Sequence, residues 1–415
     1  MRFKGFSVPF TTVLFAALVA LCPATSSLAQ QEKIIYTFDG THGRNPYDAG
    51  LIFDSAGNLY GTTPYGGTTD YGTVFELSPV TGGKWRQRVL HNFEVNGTDG
   101  CEPRAGLIFD GAGNLYGTTS ECGKFYGGTV FELTPQANGA WSEQILHNFN
   151  DAGTDGAFPG GVVLDAAGNL YGTTGEGGVR SAGQGWGTVY QLVPGAGGHW
   201  IENILYDFNN TGSAGYYPQS GLALDAMGNV YGATGDYWGA VFELSPGAGG
   251  AWTETTIHSF PTGRFDGVNP FAGLIIDSAG NLYGTTAEGS SSDEGSVFEL
   301  SPAAGGGWTE RILYGFGGDG AGLPEAPVAF DNEGNLYGTT VLGNGSSNTG
   351  GIVFELRPTE SGFWNLKTLH NFLRNSTTDG WEPEAGVVVD NSGNVYGTTF
   401  EGGANNYGIV YEIVH

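Results

Sequence analysis

Short apolar runs separated by turn-forming clusters recur along almost the whole chain, and residues 105–149 show the pattern clearly. Residues 105–109 (Ala-Gly-Leu-Ile-Phe) form one run, and 110–114 (Asp-Gly-Ala-Gly-Asn) form a turn cluster. A second run, 115–119 (Leu-Tyr-Gly-Thr-Thr), leads into a Gly-rich loop at 120–127. A third run, 128–133, closes on Thr134-Pro135, and a fourth spans 141–149. Each is too short for an ordinary helix. Each is rich in β-branched and aromatic residues and bounded by Gly, Asp, Asn or Pro, as strands are. The unit predicts a four-stranded antiparallel meander, with strands A to D in chain order.

The heptapeptide Gly-Asn-Leu-Tyr-Gly-Thr-Thr, or a close variant, starts at Gly57, Gly113, Gly168, Gly228, Gly280, Gly334 and Gly393. A period in this range means one supersecondary unit copied in tandem. Within strand B, Leu115 and Tyr116 point to opposite faces, yet both are bulky. A sheet covered on both faces is expected in a β-propeller, whereas a sandwich sheet alternates apolar with polar. The expectation is therefore an all-β, seven-bladed β-propeller occupying residues 30–415 as one domain. Residues 33–38 match strand D and 408–413 match strand C. The N-terminal strand should therefore complete the last blade and close the ring. The Gly after each Tyr is read as admitting a large side chain from the next blade.

The repeat resembles the tandem repeat called GloVer, of "choice-of-anchor" exported bacterial proteins. The resemblance rests on the heptapeptide copies, on the Gly66-Gly67, Gly177-Gly178 and Gly402-Gly403 loops, and on the Gly-Thr-Val-Phe-Glu-Leu strands. It covers about residues 33 to 415 and implies an exported repeat protein, not a particular activity. Such proteins often end in an anchoring tail. This chain stops on a strand at His415, so anchoring is not implied. The units also look like blades of NHL and lactonase-type propellers.

The N-terminus adds a leader. Arg2 and Lys4 precede an apolar run from about Val8 to Leu21, and Ser27-Leu28-Ala29 supplies a signal-peptidase pattern, so 1–29 is expected to be removed. Leu21 before Cys22 argues against lipidation. A secreted, periplasmic or extracellular monomer without membrane insertion is expected. Export permits a disulfide between Cys101 and Cys122, whose loops should lie at one end of one blade. Two free thiols are the alternative.

Formal net charge is −27, from 15 basic against 42 acidic residues. Nucleic acid and anionic membrane surfaces are poor partners for such a chain. Cations, basic proteins and neutral glycans are compatible.

Chemistry is sought where copies disagree. The A–B turns repeat Asp-x-x-Gly-Asn seven times and read as structural. The D–A loops carry Asp-Gly-x-x-Pro at Asp99, Asp155, Asp266 and Asp379, read as a rigid turn or as a repeated cation site. Glu121, Glu176, Asp236, Glu288 and Glu401 open the B–C loops. They form either a solvated acidic rim or a Ca2+ or Mg2+ site at the channel mouth. Repeat-breaking residues at this end form a candidate ligand rim: Arg44, Arg104, Arg180, Trp186, Tyr216, Tyr217, Tyr237, Trp238, Arg264, Phe265 and Trp381. His91, His147, His258 and His370 share one position in strand D, where Tyr36, Tyr206 and Tyr314 replace them, and no metal role is expected for rings on separate blades. Glu in strand C, replaced once by Gln191, is read as hydrogen-bonding. No nucleophile elbow, zincin motif or phosphate loop occurs, so no catalytic residue is assigned. The expectation is a binding or interaction module for a glycan or an exported protein. The alternatives are a lactonase- or polysaccharide-lyase-type enzyme with a divalent cation at the mouth, or a structural cell-surface protein.

Overall fold

In a computed structural model, seven four-stranded antiparallel sheets form the ring of a β-propeller. The structure describes residues 31–414, except 49, 151–154, 180–184, 210–214, 236–237, 261–266, 291, 319–320 and 344–347. The expected leader at 1–29 lies outside the described residues. Blades 1 to 6 span 52–92, 108–148, 156–207, 223–259, 275–315 and 329–373. Blade 7 joins Val388–Val389, Val395–Thr399 and Ile409–Val414 to Gln31–Thr37. Lys33 lies opposite Glu412 and Ile34 opposite Tyr411, and Lys33 Nζ meets Glu412 at 2.8 Å. The ring therefore closes as the chain ends predict. No helix among the described residues is long and apolar enough to cross a membrane.

The apolar residues on both faces of strand B are used at the seams between blades. At the seam of blades 1 and 2, Tyr60, Val74, Leu90 and Phe93 meet Leu107, Leu115, Phe131 and Leu133. A comparable cluster occupies each of the other six seams. Burial is thus divided among seven small cores rather than collected in one.

The heptapeptide ties these parts together. In the A–B turn, Asp110 Oδ1 accepts from the backbone N–H groups of Ala112 and Asn114. Its Oδ2 accepts from Asn114 Nδ2 at 2.9 Å and from the Tyr116 hydroxyl at 3.3 Å. Burial raises the Asp110 carboxyl, but these bonds together outweigh it and hold the group below its ordinary range. The Tyr116 hydroxyl also approaches Glu132 at 3.1 Å. In blade 3 the acceptor Glu becomes Gln191, which donates to the Tyr171 hydroxyl at 2.8 Å while Tyr171 donates to Asp165. The Glu-to-Gln exchange keeps the contact and reverses its direction. The first Thr of each copy reaches the following blade where the bond is seen, as in Thr62 to Ala105 O and Thr118 to Gly160 O.

The Gly expectation needs one correction. A Cβ on Gly117 would meet Phe131 and Leu107 of the same blade. Phe131 is the cross-strand partner of Gly117, so its ring lies over the bare backbone within its own sheet. The next blade supplies none of the three nearest atoms.

Candidate functional site

Each D–A loop turns into strand A through one Pro, and the residue before it has φ between 53° and 58° in all seven blades: Asn45, Glu102, Phe158, Tyr217, Asn269, Leu323 and Glu382. Left-handed backbone is unfavourable for non-Gly residues, and a following Pro biases against it further. Hydrogen bonds hold the conformation. The N–H of each of these residues donates to a carbonyl of the preceding blade, as Glu102 does to Tyr71 O and Tyr217 to Trp186 O. In most blades its own carbonyl accepts from the end of strand B, as in Ser120 to Glu102 and Phe400 to Glu382.

The kink presents the residue after the Pro to the ring axis. These residues are Tyr47, Arg104, Gly160, Gln219, Phe271, Glu325 and Glu384, different in every blade except for the Glu pair. All seven line one central cavity of about 760 Å³. Around them the wall is built from repeated small residues, including Gly50, Ala105, Gly161, Ser220, Ala272, Ala326 and Gly386. Small residues leave room for a guest, and the single variable position decides the chemistry.

That chemistry is uneven around the ring. Glu325, Glu384 and Asp48 lie on the consecutive blades 6, 7 and 1. Burial, then the neighbouring charges of Asp48, Glu382, Glu325 and Glu401, raise Glu384 to about 8. Asp48 rises to about 7, through enclosure first and the Glu325 charge second. Asp48 nevertheless keeps an exposed surface, so it is ringed by protein without being sealed from solvent. Glu325 is raised by burial and by the charges of Glu288 and Glu382. On blade 2, Arg104 Nη2 bonds Glu102 at 2.8 Å, and its guanidinium lies 5.6 Å from the Tyr47 ring centroid. Blades 4 and 5 contribute the amide of Gln219 and the ring of Phe271. Two buried polar atoms in this wall, Arg104 Nε and Glu384 Oε2, have no hydrogen-bond partner.

The repeat signature itself is matched by a known profile, that of the Gloeobacter/Verrucomicrobia repeat, over residues 17–237 and 235–415. The chain belongs to the Gloeobacter/Verrucomicrobia repeat family. No curated protein matches it. Among solved structures it is similar to the extracellular domain of a "putative hybrid two component system" from B. thetaiotaomicron, with 13% identity and a TM-score of 0.53 over 93% of this chain and 41% of that one. A second such domain from the same organism matches at 13% identity and a TM-score of 0.56, over 93% of this chain and 42% of that one. The chain therefore spans about two-fifths of the length of these neighbours. At this identity the likeness is one of fold.

Mapped onto this Gloeobacter/Verrucomicrobia repeat ring, the expected site residues separate. Cys101 and Cys122 form a disulfide with a Cα–Cα distance of 5.3 Å, and Gly100–Cys101 pairs with Glu121–Cys122. Arg104 alone of the described rim residues lines the cavity. Arg44 makes a two-pronged contact with Asp70, 3.0 Å for each bond, and lies 4.9 Å from Tyr65 and 5.9 Å from Tyr407. Trp186 packs edge-on against Tyr216 and tilted against Tyr217. Trp381 lies beneath Arg374 and donates to Asn406. Trp238 is exposed on the rim. Arg180, Tyr237, Arg264 and Phe265 lie outside the described residues, as does Asp236.

Glu121 and Glu176 border the cavity. Glu288 and Glu401 lie elsewhere on the rim, where Glu401 accepts from Asn406. No three described carboxylates of this acidic set converge to ligand distance, because each starts a loop on a different blade. Sequence reasoning missed Tyr47, Asp48, Gln219, Phe271, Glu325 and Glu384. For all of these but Asp48, the signal was available as the one variable letter after a constant Pro.

The histidines also have partners that reading each ring alone did not reveal. His91, His147 and His370 each meet an Asp from the adjoining D–A loop and a Glu from strand D of the next blade. These groups lie at the outer ends of the seams, away from the central cavity.

Proposed function

We propose that this is an exported binding module that takes a small polar ligand in its central cavity, the end of a neutral or amino-bearing glycan fitting best. The observation that carries this reading is the ring of seven post-proline residues, almost all different, set in an otherwise repeated small-residue wall. A cavity of this volume suits a ligand of one to three sugar rings. Tyr47 and Phe271 offer faces for stacking, and Gln219, Arg104 and the carboxylates offer directed hydrogen bonds. The unpartnered Arg104 Nε and Glu384 Oε2 await polar groups of both kinds. The extracellular setting of the two structural neighbours supports export. A glycan array probed with the mature chain tests the reading. Phe271→Ala and Arg104→Ala should each weaken the best hit about tenfold or more. Hits that survive both changes would place binding elsewhere, and a blank array with a protein recovered by pull-down would favour the exported-protein partner.

One observation favours a catalytic second reading. Glu384, raised to about 8, is held protonated at neutral pH, as a general acid requires. Turnover of lactones or polysaccharides that Glu384→Gln abolishes would establish it.

A further inference from the structure

The composition of strand D and that of the D–A loop vary together. His occupies its strand-D position in blades 1, 2, 4 and 6, as His91, His147, His258 and His370. Asp-Gly-x-x-Pro follows in those same four places, at Asp99, Asp155, Asp266 and Asp379. A Glu stands on the next outer strand in each case, as Glu143, Glu202, Glu310 and Glu32. Where Tyr replaces His, the set is broken. Tyr36 faces a blade with Gln87 at the Glu position, Tyr314 one with Leu366, and Tyr206 is followed by no Asp-Gly-x-x-Pro loop. The His and the Asp appear and disappear together and a Glu accompanies them in all four places, while Glu254 alone keeps its position opposite a Tyr, Tyr206.

The geometry of that unit is constant. His91 Nε2 lies 3.3 Å from Asp99 Oδ2 and 3.4 Å from Glu143 Oε1. His147 Nε2 lies 3.3 Å from Asp155 Oδ2 and 3.6 Å from Glu202 Oε1. His370 Nε2 lies 3.2 Å from Asp379 Oδ1, with Glu32 completing the group. The ligand atoms of each trio all fall within 4.8 Å of one another. The invariant Phe two residues on sets each ring edge-on, at 4.7 Å for His91 and Phe93.

A charge-assisted N–H to carboxylate bond closes to about 2.7–2.9 Å, and none of these contacts does so. Two ligands about 2.1 Å from a shared ion and 3.3 Å apart subtend roughly 100–110° at it, close to a tetrahedral angle. The oxygens facing the rings, Glu143 Oε1 and Glu202 Oε1, are buried and accept no hydrogen bond, nor does Glu32 Oε1. Asp99 is 5% exposed, and its Oδ1 is also unpartnered.

We propose that the blade seams are divalent transition-metal sites, held by His91, Asp99 and Glu143, by His147, Asp155 and Glu202, and by Glu32, His370 and Asp379. Mixed imidazole and carboxylate ligands suit Zn2+, Co2+ or Mn2+ and disfavour the all-oxygen cations Ca2+ and Mg2+. The rings are 18–20% exposed, enough for an ion to enter. Each ion would join two blades.

The test uses the full mature chain, stripped with a chelator and titrated with Zn2+ alone. At least three equivalents should bind, with a rise in Tm, and Ca2+ should produce neither. Co2+ should give the visible absorption of a low-symmetry site. His91→Tyr installs the residue that three other seams already carry, so the fold should tolerate it, and Asp99→Asn keeps the shape. Each should lower the stoichiometry by one and remove a matching share of the Co2+ absorption. Binding of less than one equivalent, or a stoichiometry that both variants leave unchanged, would overturn the proposal. So would a His91→Tyr loss of Tm equally large in the stripped and Zn2+-saturated protein, because that is the behaviour of a protonated-His latch without metal.

Discussion

Gly117→Ala adds a single methyl group to the middle of strand B in blade 2. The new Cβ would lie 2.6 Å from Phe131 Cζ and 2.9 Å from Leu107 Cδ2. Carbon atoms in good contact sit about 3.5–4.0 Å apart, so the Phe131 ring would have to retreat by about 1 Å. It has nowhere to go. Phe131 is 0% exposed and its ring centroid lies 5.3 Å from that of Phe93 across the seam. Overpacking of this kind costs about 1–3 kcal/mol. Reduced freedom of the unfolded chain returns about 0.4–1 kcal/mol, leaving a net loss of about 1–2 kcal/mol. Gly111→Ala is the control, since a Cβ there meets nothing within 4 Å and the backbone is not left-handed. Urea unfolding followed by Trp fluorescence reads both variants, with the comparison made on midpoints at constant slope. The midpoint should fall for Gly117→Ala and hold or rise for Gly111→Ala. Equal midpoints for the two would refute the account of why the heptapeptide keeps its glycine.

Cys101→Ser with Cys122→Ser should lower stability by about 3 kcal/mol, the chain-entropy value for a loop of this size, and the loss should match that from reducing the parent protein in the same thermal scan. The channel carboxyls set a pH dependence. Because Glu384 is raised to about 8 and Asp48 to about 7, their contribution to stability is fully present below the ordinary carboxylate range and is lost as pH rises through 7 to 8. Tm should therefore fall between pH 6 and 8.5, and Glu384→Gln should flatten that fall; an unchanged slope would mean Glu384 titrates normally. Removing residues 31–37 uncovers Ile409–Val414, so the shortened chain should associate through that edge, as a concentration-dependent mass in light scattering.

The ring and its closure were legible because each depends on a repeated local pattern. Strand lengths, turn residues and apolar faces recur seven times, and the resemblance of 33–38 to strand D predicted a pairing across 379 positions. The disulfide was legible for the same reason, once both cysteines fell on one end of one blade. The cavity was less so. Long, aromatic-rich loops drew attention to Trp186 and Trp381, but those side chains are held by Tyr216, Tyr217, Arg374 and Asn406. A site on a symmetry axis needs only one residue from each blade. Such residues are about fifty positions apart and form no local motif. Glu325 and Glu384 become visible only when the seven prolines are aligned. The His-Asp-Glu trios are scattered likewise, because two neighbouring blades must meet before Glu143 can approach His91.

Ring closure by Gln31–Thr37 has a consequence for how the protein is made. The strand that completes the ring is made before every blade, and its partner Ile409–Val414 follows only after all the others, with Lys33 and Glu412 separated by 379 positions. Until Ile409–Val414 has been made, six blades can form by pairing neighbours in order, but the strand Gln31–Thr37 has no sheet to join. It must stay unpaired until that partner emerges, an apolar ribbon able to find another chain's edge instead of its own. The slow event in biogenesis is then a single long-distance docking, and the species at risk is a ring of six blades whose seventh is still open. A circular permutant that begins within an A–B turn joins Gln31–Thr37 directly to Ile409–Val414, so that pair forms locally and the outer strand no longer waits unpaired.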